Sequence, residues 1–240
     1  MKIALLGYGK MGHEIESFAI ERGHRILMRI DCEDDWKKLG SELANADVAI
    51  DFSTPESAIS NIHKCFTCGV PIVCGTTGWH SHLEEVRKEF LGKGASLFFA
   101  SNFSLGVNLF FELNRQLARM MNAQPGYSIS IEEIHHIHKL DKPSGTAITL
   151  ANDVIRNIDR LDSWSIEENP APGELPVHSI RQGEVTGTHT VKYNSEPDTI
   201  EIKHTSHNRR GFAIGAVLAA EFIMGKKGFF GMNDLIKPDN

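Results

Sequence analysis

The sequence predicts an α/β chain, with a doubly wound N-terminal domain followed by an α+β domain built on a mixed sheet. Three observations lead there. Short apolar runs alternate with helical patterns over residues 2–105, period-two runs dominate after residue 126, and a glycine-rich turn stands directly behind the first apolar run. Residues 3–6, 25–30, 47–51, 71–74 and 96–100 read as strands separated by helices. Strands alternating with helices imply a parallel sheet covered on both faces, because parallel neighbours need crossovers. A helix is expected over residues 106–122. The character then changes. Tyr127-Ser128-Ile129-Ser130-Ile131-Glu132 alternates with period two, and a helix follows over residues 145–158 with Ile148, Leu150, Ala151, Val154, Ile155 and Ile158 along one side. Residues 177–182, 188–194 and 199–205 are strands without helices between them, the last two joined by the turn Ser195-Glu196-Pro197-Asp198. The Pro- and Glu-rich residues 167–176 read as a surface loop. Residues 210–226 form a largely apolar helix that pattern alone assigns to neither domain.

The formal charge of −6 gives no basic field for a nucleic-acid backbone, and 41% apolar composition supports an ordinary globular core. The chain opens on Lys2-Ile3-Ala4-Leu5-Leu6 without the pattern of a signal peptide, and no apolar run reaches membrane-spanning length. A cytoplasmic protein with no membrane and no nucleic-acid partner is expected. Cys32, Cys65, Cys68 and Cys74 are too few and too clustered for a disulfide framework. Cys65 and Cys68 spell C-x-x-C, but a second zinc-ligand pair and thioredoxin-like surroundings are both missing. Two small buried residues on one helix face is the expected reading.

Gly7-Tyr8-Gly9-Lys10-Met11-Gly12 is a G-x-G-x-x-G between a strand and a helix, with Asp31 nineteen residues past Gly12 at the end of the second strand. Strand, helix and acid together make a dinucleotide-binding fingerprint of Rossmann type, far more specific than the glycines alone. The glycines permit a tight turn and close approach to a pyrophosphate, whose charge meets the unpartnered amides of the helix N-terminus. Asp31 is expected to bond the adenine ribose and to repel a 2′-phosphate, favouring NADH over NADPH. Arg29, Lys37 and Lys38 stand close enough in sequence to neutralise a phosphate, which leaves dual use open. Gly75-Thr76-Thr77-Gly78 and Ala100-Ser101-Asn102-Phe103-Ser104 follow later strands, where this fold places ligands. They read equally as contacts to the nicotinamide ribose and carboxamide or as ordinary capped turns.

The densest chemistry lies in Glu133-Ile134-His135-His136-Ile137-His138-Lys139-Leu140-Asp141-Lys142-Pro143-Ser144-Gly145-Thr146, where three histidines and two lysines gather at a strand-to-helix passage. Such a cluster focuses positive potential on an anion, and the Ser144-Gly145-Thr146 turn adds amides that hold carboxylates. A solvated charged turn is the competing reading. A metal site on His135, His136 and His138 is disfavoured, because neighbours on a strand point to opposite faces, and no metal is expected.

The E-I-H-H-I-H-K-L-D-K-P-S-G-T run closely resembles the H-H-x-x-K…P-S-G-T signature of the dihydrodipicolinate reductase (4-hydroxy-tetrahydrodipicolinate reductase) family. The resemblance extends over essentially the whole chain, through Asp51-Phe52-Ser53, Gly75–Gly78, the 100–108 segment, Arg181-Gln182-Gly183, Gly187-Thr188-His189-Thr190-Val191 and His204 with Arg209. It implies His135 as proton donor or acceptor, Lys139 as a second proton donor, and His136, Ser144, Gly145 and Thr146 as the carboxylate site. It implies cofactor contacts from Gly7, Tyr8, Gly9, Lys10, Met11, Gly12, Asp31, Gly75, Thr76, Thr77, Ala100, Ser101, Asn102 and Phe103. By the same resemblance, residues 1–105 with 206–240 form the cofactor domain, residues 106–205 form the substrate-binding and oligomerisation domain of a homotetramer, and the domains hinge over bound ligands. The family commonly shows G-x-x-G-R-M-G at its first turn; this chain is one residue shorter there, with Lys10 in the arginine's place, and it is short between residues 31 and 47.

The implied reaction is NAD(P)H-dependent reduction of a cyclic dicarboxylate imine to tetrahydrodipicolinate, on the route to diaminopimelate and lysine. Two alternatives stand beside it: an NADH-sensing regulator without catalysis, and an amino-acid or hydroxy-acid dehydrogenase of the same two-domain plan.

Overall fold

The computed structural model describes residues 1–91 and 94–237. In chain order the elements are β1 (Lys2–Leu6), α1 (Lys10–Glu21), β2 (Arg25–Ile30), α2 (Glu33–Leu39), β3 (Val48–Asp51), α3 (Pro55–Thr67), β4 (Ile72–Cys74), α4 (Leu83–Leu91) and β5 (Ser96–Phe99). They continue as α5 (Leu105–Asn122), β6 (Ser128–His135), α6 (Gly145–Ile155), β7 (Ser163–Ser165), β8 (Glu174–Arg181), β9 (Gly187–Asn194), β10 (Thr199–Ser206), α7 (Arg210–Ile223), β11 (Gly228–Phe230) and α8 (Met232–Ile236). The chain forms two compact units, Met1–Leu105 with Arg209–Asn240, and Gly106–Asn208. Residues 238–240 of the expected C-terminal segment lie outside the described residues.

In the first unit all pairings are parallel and the strand order is β11-β5-β4-β3-β1-β2. Strand alternation decides which helix each side chain meets. Ile3, Leu5, Val48, Ile50, Val73 and Phe98 face α1 and α7, while Ala4, Leu6, Ala49, Ile72 and Leu97 join the opposite layer with Ile62 of α3 and Val86 of α4. Both faces are therefore apolar, and each fully buried Ile or Leu contributes roughly 1.5–3 kcal/mol. Strand order reverses between β1 and β3, so a crevice opens beyond their carboxyl ends, the place where such sheets hold ligands. Helix α7 belongs to this unit. A Cβ on its Gly215 would stand 1.7 Å from the Phe103 carbonyl oxygen, so only glycine lets the helix press against the segment after β5.

In the second unit the order is β10-β9-β6-β8-β7; β9 runs antiparallel to β10 and β6, while β6, β8 and β7 are parallel. Helix α6 covers the sheet with Ala147, Leu150, Ala151 and Val154, against Ile129, Ile131, Val177, Val191 and Tyr193. Helix α5 packs on α6, where Asn114 Nδ2 donates to the Leu150 carbonyl at 3.1 Å.

Four expectations are corrected. The strand expected over residues 127–132 continues to His135, with buried residues at every second position throughout. The loop expected to reach residue 176 stops earlier, because Leu175 is fully buried in β8 at the same period as Val177. The helix expected to end at residue 158 ends at Ile155, although Ile158 stays in the core. Cys65 is buried but Cys68 is exposed, so the C-x-x-C is not a buried pair. The three-residue strands β7 and β11 and the short α8 went unanticipated, being too brief to show a period.

Candidate active site

In the first unit, Gly7 adopts φ +89°, and a Cβ there would lie 2.2 Å from the Phe52 carbonyl oxygen. This contact brings the turn after β1 against the end of β3. Beyond it lies a groove of about 500 Å³ lined by Gly7, Gly9, Asp31, Trp36, Ser53, Asn61 and Lys64, among others. Asp31 Oδ1 accepts the Tyr8 amide at 2.9 Å, which joins the acid to the glycine turn. The first amides of α1 have no acceptor within the helix and suit a pyrophosphate. A dinucleotide fits these residues.

The other expected cofactor residues are placed differently. Tyr8 donates its hydroxyl to Glu16, which also pairs with Arg29, so Arg29 is already occupied; Arg29, then Tyr8, hold the Glu16 carboxyl down to about 2 despite its burial. Lys37 pairs with Asp34 at 2.8 Å. Lys64, not foreseen, lines the groove with its Nζ 4.1 Å from the Trp36 ring centre. Lys10, Met11 and Gly12 open α1 and do not line the groove. Gly75, Thr76 and Thr77 follow β4 and also stand outside its lining, but Thr76 is bound to it through Asp51. That buried carboxylate accepts from Thr76 Oγ1 at 2.6 Å, Ser53 Oγ at 2.8 Å and Asn61 Nδ2 at 2.8 Å. Burial pushes the Asp51 pKa up against these donors. Ala100, Ser101, Asn102 and Phe103 follow β5; Phe103 is buried with its ring 5.4 Å from Phe52, and Asn102 Oδ1 caps the Ser104 amide at 2.9 Å.

In the second unit, the alternation that buries Ile129 and Ile131 also turns Glu133 and His135 inward at the end of β6. His135 Nδ1 is ion-paired with one Glu133 oxygen, and Arg181 of β8 holds the other at 2.9 Å. Burial opposes the charge on Glu133, yet His135, Arg181 and Ser179 bring its pKa down to about 2. The His189 ring of β9 stands 5.0 Å from His135, edge to face, and its Nε2 lies 3.0 Å from Ser144 Oγ. Ser144 caps α6 by accepting the Ala147 amide at 3.2 Å, leaving the amides of Gly145 and Thr146 without intrahelical acceptors. Lys139 pairs with Asp141 at 2.8 Å on the loop after β6, and the buried Nδ1 of His136 has no protein partner among the described residues. Glu133, His135, His189 and Ser144 at the start of α6 thus form one connected cluster, with Lys139 on the loop between β6 and α6.

A family model described as dihydrodipicolinate reductase, N-terminus, matches residues 1–103, and one described as dihydrodipicolinate reductase, C-terminus, matches residues 106–236. The chain belongs to the dihydrodipicolinate reductase family. A 4-hydroxy-tetrahydrodipicolinate reductase of Christiangramia forsetii is 48% identical over 236 residues, covering 98% of both chains. One of Archaeoglobus fulgidus is 35% identical, covering 99% of this chain and 100% of its own. The dipicolinate-bound dihydrodipicolinate reductase of Paenisporosarcina sp. TG-14 shares the fold at TM-score 0.82 and 22% identity, over 98% of this chain and 99% of that one. Membership of the dihydrodipicolinate reductase family does not favour the sensor or the amino-acid or hydroxy-acid dehydrogenase.

Sequence reasoning missed Glu133, Arg181 and His189 as site members. Extending the period-two pattern past Glu132 would have found Glu133. Glu133, His135 and His189 offer ligand atoms within 4.8 Å of one another. However, Glu133 already carries a guanidinium and an imidazole, and His189 Nε2 engages Ser144, so these are mutually bonded groups rather than a metal cage.

His189 carries a stability prediction. Burial, then the charge of His135, lowers its pKa from 6.5 to about 3. The unfolded chain takes up a proton that the folded unit refuses, so this contribution is complete above pH 6.5 and is lost as pH falls toward 3. The loss should reach on the order of 3–5 kcal/mol. Hydrogen exchange of β9 amides at stepped pH reads it, and His189→Asn should flatten the dependence between pH 6.5 and 4.5; an unchanged slope in the variant would refute the assignment.

Proposed function

We propose that this chain reduces 4-hydroxy-tetrahydrodipicolinate to tetrahydrodipicolinate with NAD(P)H, a step toward diaminopimelate and lysine. The observation that carries the reading is the cluster joining His135 to Ser144 through His189, with Lys139 on the intervening loop. A nicotinamide dinucleotide held with its pyrophosphate and adenosine end in the groove would supply the hydride. The free amides of Gly145 and Thr146, with Ser144 and His136, hold the carboxylates of the cyclic dicarboxylate. Lys139 and His135 deliver the proton that balances the hydride, and one water leaves overall from the hydroxylated ring. Gly7, Gly9 and Asp31 hold the pyrophosphate and adenine ribose, with Tyr8, Lys10, Met11 and Gly12 completing the turn. Gly75, Thr76, Thr77 and the residues from Ala100 to Phe103 serve the nicotinamide end.

Asp31 supports a preference for NADH, and Lys64 supports tolerance of the 2′-phosphate of NADPH. From the resemblance we also propose a homotetramer and cytoplasmic residence. Among the described residues no helix is long and apolar enough to cross a membrane. The test is oxidation of NADH and NADPH when substrate is generated in place by the synthase that condenses pyruvate with aspartate semialdehyde. Synthase-dependent oxidation, faster with NADH, is expected. Cofactor binding without oxidation would overturn the proposal.

A further inference from the structure

Arg181 ends β8 and touches both proton-carrying segments. Its Nη2 donates to Glu133 Oε1 and to the Asp141 carbonyl, its Nε to the Lys139 carbonyl at 3.3 Å, and its Nη1 to the Ile180 carbonyl at 2.9 Å. Glu133, with no exposure, gives its second oxygen to His135 Nδ1. A single guanidinium therefore holds the partner of His135 and the loop that carries Lys139. Burying such charges costs several kcal/mol per ion unless they are paired, which makes an ionic device here expensive as mere scaffolding. Around His135 stand Glu133 on its own strand, Arg181 from β8, His189 from β9, and Lys139 and Asp141 on the following loop.

We infer that Glu133 and Arg181 are positioning residues: Glu133 fixes the orientation of the His135 ring, and Arg181 holds that carboxylate together with the loop that carries Lys139. Glu133 faces Nδ1 and so fixes which ring nitrogen is left for the substrate. Arg181 holds the other oxygen of the same carboxylate, while its carbonyl contacts hold the loop backbone. The inference deepens the proposed function and rests on it for the word proton donor.

Two readouts test it: turnover with the synthase-generated dicarboxylate, split into kcat and NADH affinity, and the NMR signals of the His135 ring and the Lys139 backbone amide without substrate. Glu133→Gln should shift the His135 ring signals, and Arg181→Met should shift both those signals and the Lys139 amide. Turnover of Arg181→Met should fall about 10–100-fold with NADH affinity unchanged. Arg181→Lys should restore only part of the turnover, because an ammonium cannot reach the carboxylate and the carbonyls as a planar fork does. Where Glu133→Gln or Arg181→Met does not fold, Glu133→Asp or Arg181→Lys takes its place, with a smaller change of the same kind. Ring and loop signals that stay unchanged in folded variants would overturn the inference. Wild-type protein without turnover would overturn the proposed function alone, since the NMR readout does not depend on it.

Discussion

Replacing Lys139 with methionine should lower kcat by about 10²–10⁴-fold, the range for losing a positioned proton donor, while leaving NADH affinity unchanged. The side chain lies on the loop after β6, its ammonium held 2.8 Å from Asp141. Asp141 is an exposed acid whose pKa the hydrogen bond from Lys139 lowers, so in the absence of ligand the pair is a surface ion pair worth little to stability. Methionine keeps the length of the side chain and removes the proton. The variant should therefore fold with an unaltered melting temperature, and its defect should appear in kcat rather than in cofactor binding. His135→Gln should show a loss of the same kind, but it also leaves Glu133 without its imidazole and should cost stability besides. Rapid-mixing measurement of NADH oxidation by Lys139→Met, beside calorimetric titration of NADH, separates the two effects. Wild-type turnover would remove Lys139 from the mechanism.

Gly7→Ala should have the largest effect on the cofactor. The new Cβ would meet the Phe52 carbonyl oxygen at 2.2 Å, its carbon at 2.5 Å and Ser53 Cα at 2.7 Å, all backbone atoms that cannot swing aside. The positive φ adds about 1–2 kcal/mol of strain and the overpacking about 1–3 kcal/mol more. Relief requires the turn and the end of β3 to separate, and these two segments form the groove. If roughly 3 kcal/mol falls on binding, NADH affinity drops about a hundredfold. Gly126→Ala, outside the groove lining, is the control, since a Cβ at Gly126 meets nothing within 4 Å. Calorimetric titration of both variants decides the matter. Tight NADH binding by a folded Gly7→Ala protein would show that the groove is not the pyrophosphate site.

The parts of the fold that repeat a period were legible. Residues 25–30 were expected as a strand and are β2, and the period-two runs of the second unit are β6, β8, β9 and β10. What escaped was either too short to repeat, as with β7 and β11, or hidden by polarity. Glu133 illustrates the second case: a charged residue ends the apolar alternation in the letters while continuing it in space, because His135 and Arg181 neutralise it indoors. The candidate site divides the same way. The signature names His135, Lys139 and Ser144 directly, since their types announce proton and carboxylate chemistry. Arg181 and His189 lie 35 and 43 positions beyond its end at Thr146 and meet it only because β8 and β9 flank β6. Asp51 and Asn61 likewise read as a strand end and a helix residue, and their hydrogen bond appears only when β3 and α3 are packed. The basic residues near Asp31 make a related point, since charge in the letters does not reveal that Arg29 and Lys37 have carboxylate partners.

The placement of α7 governs the order in which the polypeptide can fold during synthesis. When residue 105 leaves the ribosome, the sheet face formed by Ile3, Leu5, Val48 and Ile50 still lacks Ala216, Val217, Ala220 and Ile223, which cover it in the finished protein. At ~5–20 residues per second, that apolar face waits on the order of ten seconds for its lid. The unit Gly106–Asn208, continuous in sequence, is translated in the meantime and has its whole core available. The half of the protein made second is therefore expected to fold first, leaving the first-made half as the stage at which a nascent chain is most exposed to aggregation or rescue.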